Sequence, residues 1–108
     1  MATAEQLMDK IAAKLGSRSD LLSSVGGTYK FVLDGDGGGT FLLDLKQGLS
    51  LTKGDGPAQC TIKMTAQDFV DLFEGRANGQ ALFFGGKLKV EGDMGLALKL
   101  QALTDILK

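Results

Sequence analysis

Residues 81–101 read ALFFGGKLKVEGDMGLALKLQ, and their pattern changes three times. Ala81 to Phe84 finish a short apolar helix that starts at Gly79, with Asn78 placed to cap it, and Gly85-Gly86 break it. Lys87-Leu88-Lys89-Val90-Glu91 then alternates charged and apolar residues, the period of a half-buried strand. After Gly92, Asp93 is placed to cap a last helix, Met94 to Lys108. A strand set between two helices, near the end of a chain whose middle is all alternation, predicts an α+β fold.

Upstream, Thr65-Ala66-Gln67-Asp68 opens a helix with Phe69, Val70, Leu72 and Phe73 on its apolar side, closed by Gly75. Before it come four alternating segments, carrying Tyr29, Phe31 and Leu33; Phe41, Leu43 and Leu45; Leu49 and Leu51; and Cys60, Ile62 and Met64. Glycine-rich turns separate them: Asp34 to Gly39, Gln47-Gly48, and Gly54 to Pro57. Read as hairpins, these turns predict a four-strand antiparallel meander. Residues 16–24 read as a loop or one short helix turn. At the start, Thr3 and Gln6 form a capping box ahead of Leu7, Ile11 and Leu15, an amphipathic helix ended by Gly16. The expected whole is a single two-layer α+β domain over residues 1–108. Its five-stranded, mostly antiparallel sheet has helices on its apolar face. Lys30, Asp44, Thr61, Lys63, Lys87 and Lys89 hold the other face in water.

Composition narrows the function. The net charge of −1 lacks the basic excess that nucleic acid binding uses. There is no histidine, so the commonest general base and metal ligand is missing. The single cysteine, Cys60, shares the apolar parity of Ile62 and Met64, which argues for packing rather than nucleophilic chemistry. Asp34 and Asp36 begin like a calcium loop, but Gly38 and Leu45 stand where its later ligands belong. The glycines of Gly35 to Gly39 lie between two strands, not before a helix, so they form a turn and not a phosphate cradle. The expectation is a protein that is not an enzyme, with no metal and no cofactor. No apolar run approaches the ~20 residues of a membrane span, and the N-terminus lacks the apolar core of a signal peptide. These features predict an intracellular, cytoplasmic protein; a monomer is the separate expectation.

The last helix is greasier than a sheet-covering helix needs, about three apolar positions in seven. Leu96, Leu100, Leu103 and Leu107 make one stripe, and Met94, Ala97, Leu98, Ala102 and Ile106 a second. Burial on two sides, a cavity wall, and a surface for a partner or membrane all fit this pattern. Phe69, Leu72, Phe73, Leu82, Phe83 and Phe84 likewise suit either a core or an apolar pocket.

Residues 83–101 resemble the C-terminal signature of the sterol carrier protein type 2 family, the non-specific lipid-transfer proteins: Phe-Phe-x-Gly-Lys-Leu-Lys, a short strand, then Gly-Asn-Met-Gly-Leu-Ala-Met-Lys-Leu-Gln. Asp93 and Leu98 replace Asn and Met. Val25-Gly26-Gly27, Leu43 to Gly48 and Cys60 to Met64 extend the resemblance upstream. It implies non-catalytic binding and transfer of fatty acids, fatty acyl-CoA, phospholipids or sterols in an apolar tunnel between sheet and helices. By parity and family position, the lipid-contacting residues are Phe31, Leu43, Met64, Phe69, Leu72, Phe73, Leu82, Phe84, Met94, Leu96, Leu100 and Leu103. Gln80 and Gln101 match family glutamines and are assigned to the lipid head. Transient membrane contact is expected, with Lys10 and Lys14 of the first helix facing anionic headgroups. The alternative is an accessory domain whose C-terminal helix packs on a fused or partner lipid-metabolism enzyme without binding lipid. Three departures from the family pattern stand out. Gly79 replaces the proline of Asn-Pro-Gln, Phe41 replaces a tryptophan, and Asp105-Ile106-Leu107-Lys108 lacks the peroxisomal tripeptide.

Overall fold

In the computed structural model, which describes residues 3–46 and 48–99, helix α1 spans Ala4–Gly16 and begins at its capping box. Gln6 N–H donates to Thr3 Oγ1 at 3.1 Å, and Thr3 N–H donates to Gln6 Oε1 at 3.0 Å. Its apolar face, with Ala4, Leu7, Met8, Ile11 and Leu15, is fully buried. Residues 16–24 make more than a turn. Helix α2, Ser19–Val25, forms there and ends at Gly26, whose φ of 56° is the left-handed cap that glycine takes without a Cβ clash.

The strands are β1 Thr28–Asp34, β2 Gly39–Asp44, β3 Ser50–Lys53, β4 Cys60–Thr65 and β5 Lys89–Gly92. Helices α3 (Ala66–Phe73), α4 (Gly79–Phe84) and α5 (Met94–Leu98) complete the described elements. The expected last helix to Lys108 lies outside the described residues beyond Lys99. Strand β5 starts two residues later than its alternation suggests. Lys87 N–H and Leu88 N–H both donate to Leu82 O, at 2.9 and 3.0 Å, closing the turn after α4.

One expectation is corrected. The strands do not run as a four-strand meander. The sheet order is β3-β2-β1-β4-β5, and β4 lies parallel to β1, with Tyr29 opposite Cys60 and Phe31 opposite Ile62. The other three pairings are antiparallel, so the sheet is mixed. Alternation reports which face of a strand is buried, and it is the same for either neighbour. The Gly54–Gln59 stretch is therefore not a hairpin but a crossing. Pro57 has no N–H to offer a ladder, and the chain passes over the outer face, where Asp55 accepts from Lys30 Nζ at 3.0 Å. Gln59 and Thr28 then lock its far end. Gln59 N–H donates to Thr28 Oγ1 at 2.8 Å, and Thr28 N–H to Gln59 Oε1 at 3.2 Å.

Helices α1, α3 and α5 cover the inner face, with α3 on β1 and β4, and α5 on β4 and β5. An aromatic row fills the layer. Tyr29 stacks on Phe31 at 5.9 Å between ring centroids, Phe31 meets Phe69 edge-on at 5.7 Å, and Phe69 lies 4.6 Å from Phe73. Leu33, Phe41, Leu43, Ile62 and Met64 pack around it, all buried. Each such side chain contributes roughly 1.5–3 kcal/mol by leaving water. No helix of the described residues is long and apolar enough to cross a membrane.

Candidate functional site

The cavity forms where the covering layer ends. Helix α4 is short because both ends are set locally: Asn78 Oδ1 accepts from Gln80 N–H and Ala81 N–H at 2.8 and 3.2 Å, and Gly85 N–H closes on Ala81 O at 3.0 Å. Helix α5 is pinned more firmly. Asp93 Oδ1 accepts from Gly95 N–H and Leu96 N–H at 2.8 and 3.2 Å. Buried Tyr29 donates its hydroxyl to Leu96 O at 2.5 Å, and Lys99 Nζ donates to Ser24 O at 3.1 Å. The Leu96 side chain rests on Gly27, where a Cβ would lie 2.5 Å from Leu96 Cδ2. A Cβ there would force the Leu96 side chain to shift.

Between α4, β5 and α5 opens a cavity of about 270 Å³. Leu72 of α3 and Leu88 and Val90 of the β5 arm form its floor. Gly79, Gln80, Phe83 and Phe84 make one wall, and Met94, Ala97 and Leu98 the other. Gln80 is the one polar side chain among these described lining residues, and none of them carries a titratable group. The lining can hold an apolar chain and orient one polar end, but it offers neither nucleophile nor base. Its rim is exposed: Phe84 is 83% accessible, Leu98 81%, Met94 52% and Phe83 43%. These are the exposed large apolar side chains of the described residues.

The residues assigned to lipid contact divide three ways. Leu72, Gln80, Phe84 and Met94 line this cavity. Phe31, Leu43, Met64, Phe69, Phe73, Leu82 and Leu96 are buried in the packed core. Leu100, Gln101 and Leu103 lie outside the described residues. Among those described, the seven buried ones pack against one another; the mostly apolar opening lies at the α4–β5–α5 end, and a second opening of about 210 Å³ lies between the starts of α1 and α3 and the Asp36-Gly37 turn. Sequence reasoning left out Gly79, Phe83, Leu88, Val90, Ala97 and Leu98. Gln80, Phe83 and Phe84 share a face at helical spacing, and Leu88 and Val90 share the inner parity of β5. Those two periodicities were the signals available.

Cys60 is fully buried beneath α5. Burial, and then the charge of Asp93, push its thiol up to about 11. It is therefore a packed thiol at neutral pH. Among the described residues, no three of His, Cys, Asp or Glu gather as a metal site.

The family model described as the SCP-2 sterol transfer family matches residues 5–105. Sterol carrier protein 2 of Homo sapiens is 42% identical over 106 residues, covering 93% of this chain and 19% of that protein, so the chain spans about a fifth of its relative's length. Among solved structures, the apo form of sterol carrier protein 2 from Yarrowia lipolytica superposes with a TM-score of 0.81 at 27% identity, covering 94% of this chain and 89% of that one. Sterol carrier protein-2 from Aedes aegypti, solved in complex with the C16 fatty acid palmitate, has a TM-score of 0.72 at 21% identity, with both chains fully covered. That last likeness carries the fold.

Proposed function

The chain belongs to the SCP-2 sterol transfer family, and we propose that it binds one lipid acyl chain in the cavity between α4, β5 and α5. The chain would enter between Phe84 and Leu98, with its polar end at Gln80. The observation that carries this reading is a solvent-open, almost wholly apolar cavity with no titratable group among its described lining residues. Palmitate in the Aedes aegypti neighbour supports a fatty acid as the first ligand to try. Burial of methylenes supplies the affinity, at ~0.8 kcal/mol each, so ten give roughly 8 kcal/mol before ordering costs. About 270 Å³ lies just below the usual range of ligand pockets, ~300–1,000 Å³. The proposed preference is therefore for a single extended chain, free or as the acyl group of fatty acyl-CoA, over a fused sterol ring.

Titration of the delipidated protein with a fluorescent fatty acid, followed by competition with fatty acyl-CoA, phospholipid and sterol, tests this reading. Ala97→Phe places a ring in the cavity from α5. We expect one-to-one binding in the parent and at least tenfold weaker binding in this variant, with unchanged circular dichroism. Equal affinity in a folded Ala97→Phe protein would remove the cavity from the account.

A further inference from the structure

A sheet ordered β3-β2-β1-β4-β5 ends at β3 and at β5, and the chain treats these two edges differently. Lys53 of β3 lies opposite Phe41, which puts a charge on the inner face, where it pairs with Glu5 of α1 at 3.2 Å. An inward charge blunts an edge against further strands. The β5 arm has no such device. Its inward residues, Leu88 and Val90, are apolar, and its charges, Lys89 and Glu91, stand exposed on the outer face. The phase of its ladder follows from Asp93 N–H, which donates to Gln59 O at 2.8 Å. In an antiparallel pair this makes Glu91 with Thr61, and Lys89 with Lys63, the pairs that exchange hydrogen bonds. Because each peptide is planar and trans, the N–H and C=O of Val90, the C=O of Leu88 and the N–H of Gly92 all point away from β4. None of these groups has a hydrogen-bond partner among the described residues.

We propose that β5 pairs with β5 of a second copy, antiparallel about a twofold axis at Val90. The two Val90 residues would exchange their N–H and C=O bonds, and each Gly92 N–H would donate to Leu88 O across the seam. In that register Lys89 of each copy lies opposite Glu91 of the other, on the outer face of the joined sheet. Moving the axis to Lys89 or to Glu91 would set like charges directly opposite, which is destabilising. An axis between residues would set outer faces against inner ones. Towards a strand of another sequence these charges are protective; towards a second copy in this one register they are complementary. Glu91 holds Lys63 through Oε2 at 2.9 Å, which leaves Oε1 for Lys89 of the second copy. Leu88 and Val90 stay on the inner face, so the two cavities come to lie on the same side of one continuous sheet. The pairing is short, and the dimer is therefore weak. The monomer expected from the sequence is its dilute form. The seam does not depend on what the cavity holds.

Sedimentation equilibrium of the delipidated protein, with amide exchange followed over the same concentrations, tests the proposal. The parent is expected to form a dimer with a Kd of ~1 mM or tighter. Exchange of the Val90 N–H should slow as the dimer forms. Lys89→Glu alone and Glu91→Lys alone each set like charges opposite across the seam. Each is expected to weaken association by roughly tenfold or more, because two favourable pairs become two unfavourable ones. Both side chains are exposed and lie outside the cavity lining, so circular dichroism should stay at the parent spectrum. A one-to-one mixture of the two variants sets opposite charges across the seam again and is expected to associate as the parent does, which an effect on folding alone would not produce. A parent still monomeric at ~1 mM, a dimer indifferent to both variants, or a mixture that stays monomeric each overturns the proposal.

Discussion

Cys60 and Tyr29 lie side by side across the β1–β4 pairing, both fully buried, and both resist losing a proton. Burial is the first cause for each; for Tyr29 the charges of Cys60 and Asp93 add to it, and the phenol is raised above its usual range. A folded-state pKa above the unfolded value means that the protonated form is favoured by folding. This stabilisation is complete below the unfolded pKa and lost as pH rises through the folded one. For Cys60 the window runs from 9.0 to about 11 and is worth on the order of 2–3 kcal/mol. Urea midpoints should hold level up to about pH 8.5, near the unperturbed thiol pKa, and fall by pH 11. Cys60→Ala should flatten the thiol's part of that fall and leave the part due to Tyr29. An identical alkaline slope in both proteins would contradict the buried thiol. At this scale the sequence was informative about burial, since the parity of Cys60 with Ile62 and Met64 placed it inside. It was silent about emptiness. Phe31, Met64 and Phe69 are apolar whether they face a ligand or one another, and they face one another.

Helix α5 owes its position to contacts that no local pattern contains. Its start was legible, because an aspartate before Met94 is a cap and Asp93 acts as one. The Tyr29 hydroxyl on Leu96 O and the Leu96 side chain on Gly27 join residues far apart in the chain. Gly27→Ala should push Leu96 aside and cost about 1–3 kcal/mol by overpacking. Because Met94, Ala97 and Leu98 ride on the same helix, fatty acid affinity should drop as well. A Gly27→Ala protein with parent stability and affinity would show that α5 is held by other means. The crossing at Gly54–Gln59 escaped the sequence for a similar reason. A glycine-proline stretch between two alternating segments looks the same whether the second strand pairs with the first or travels across the sheet.

The molecule as a whole separates two jobs that its composition blurs. The α1–α3 side of the sheet is packed with aromatic and aliphatic side chains and supports the fold. The α4–β5–α5 end stays open, and the exposed grease of the described residues gathers there. The α+β class, the helix caps and the family resemblance could all be read from the chain. The mixed strand order and the site of the opening depend on packing between distant segments, and they could not. The central claim is that the acyl chain lies in the end cavity and not between the sheet and α1 and α3. The most direct measurement is paramagnetic broadening of side-chain methyl resonances by a fatty acid spin-labelled midway along its chain. Broadening centred on Leu88, Val90, Met94 and Leu98, with Leu43, Ile62 and Met64 little affected, is the predicted result. Broadening centred on Leu43, Ile62 and Met64 would contradict it and place the ligand within the core layer.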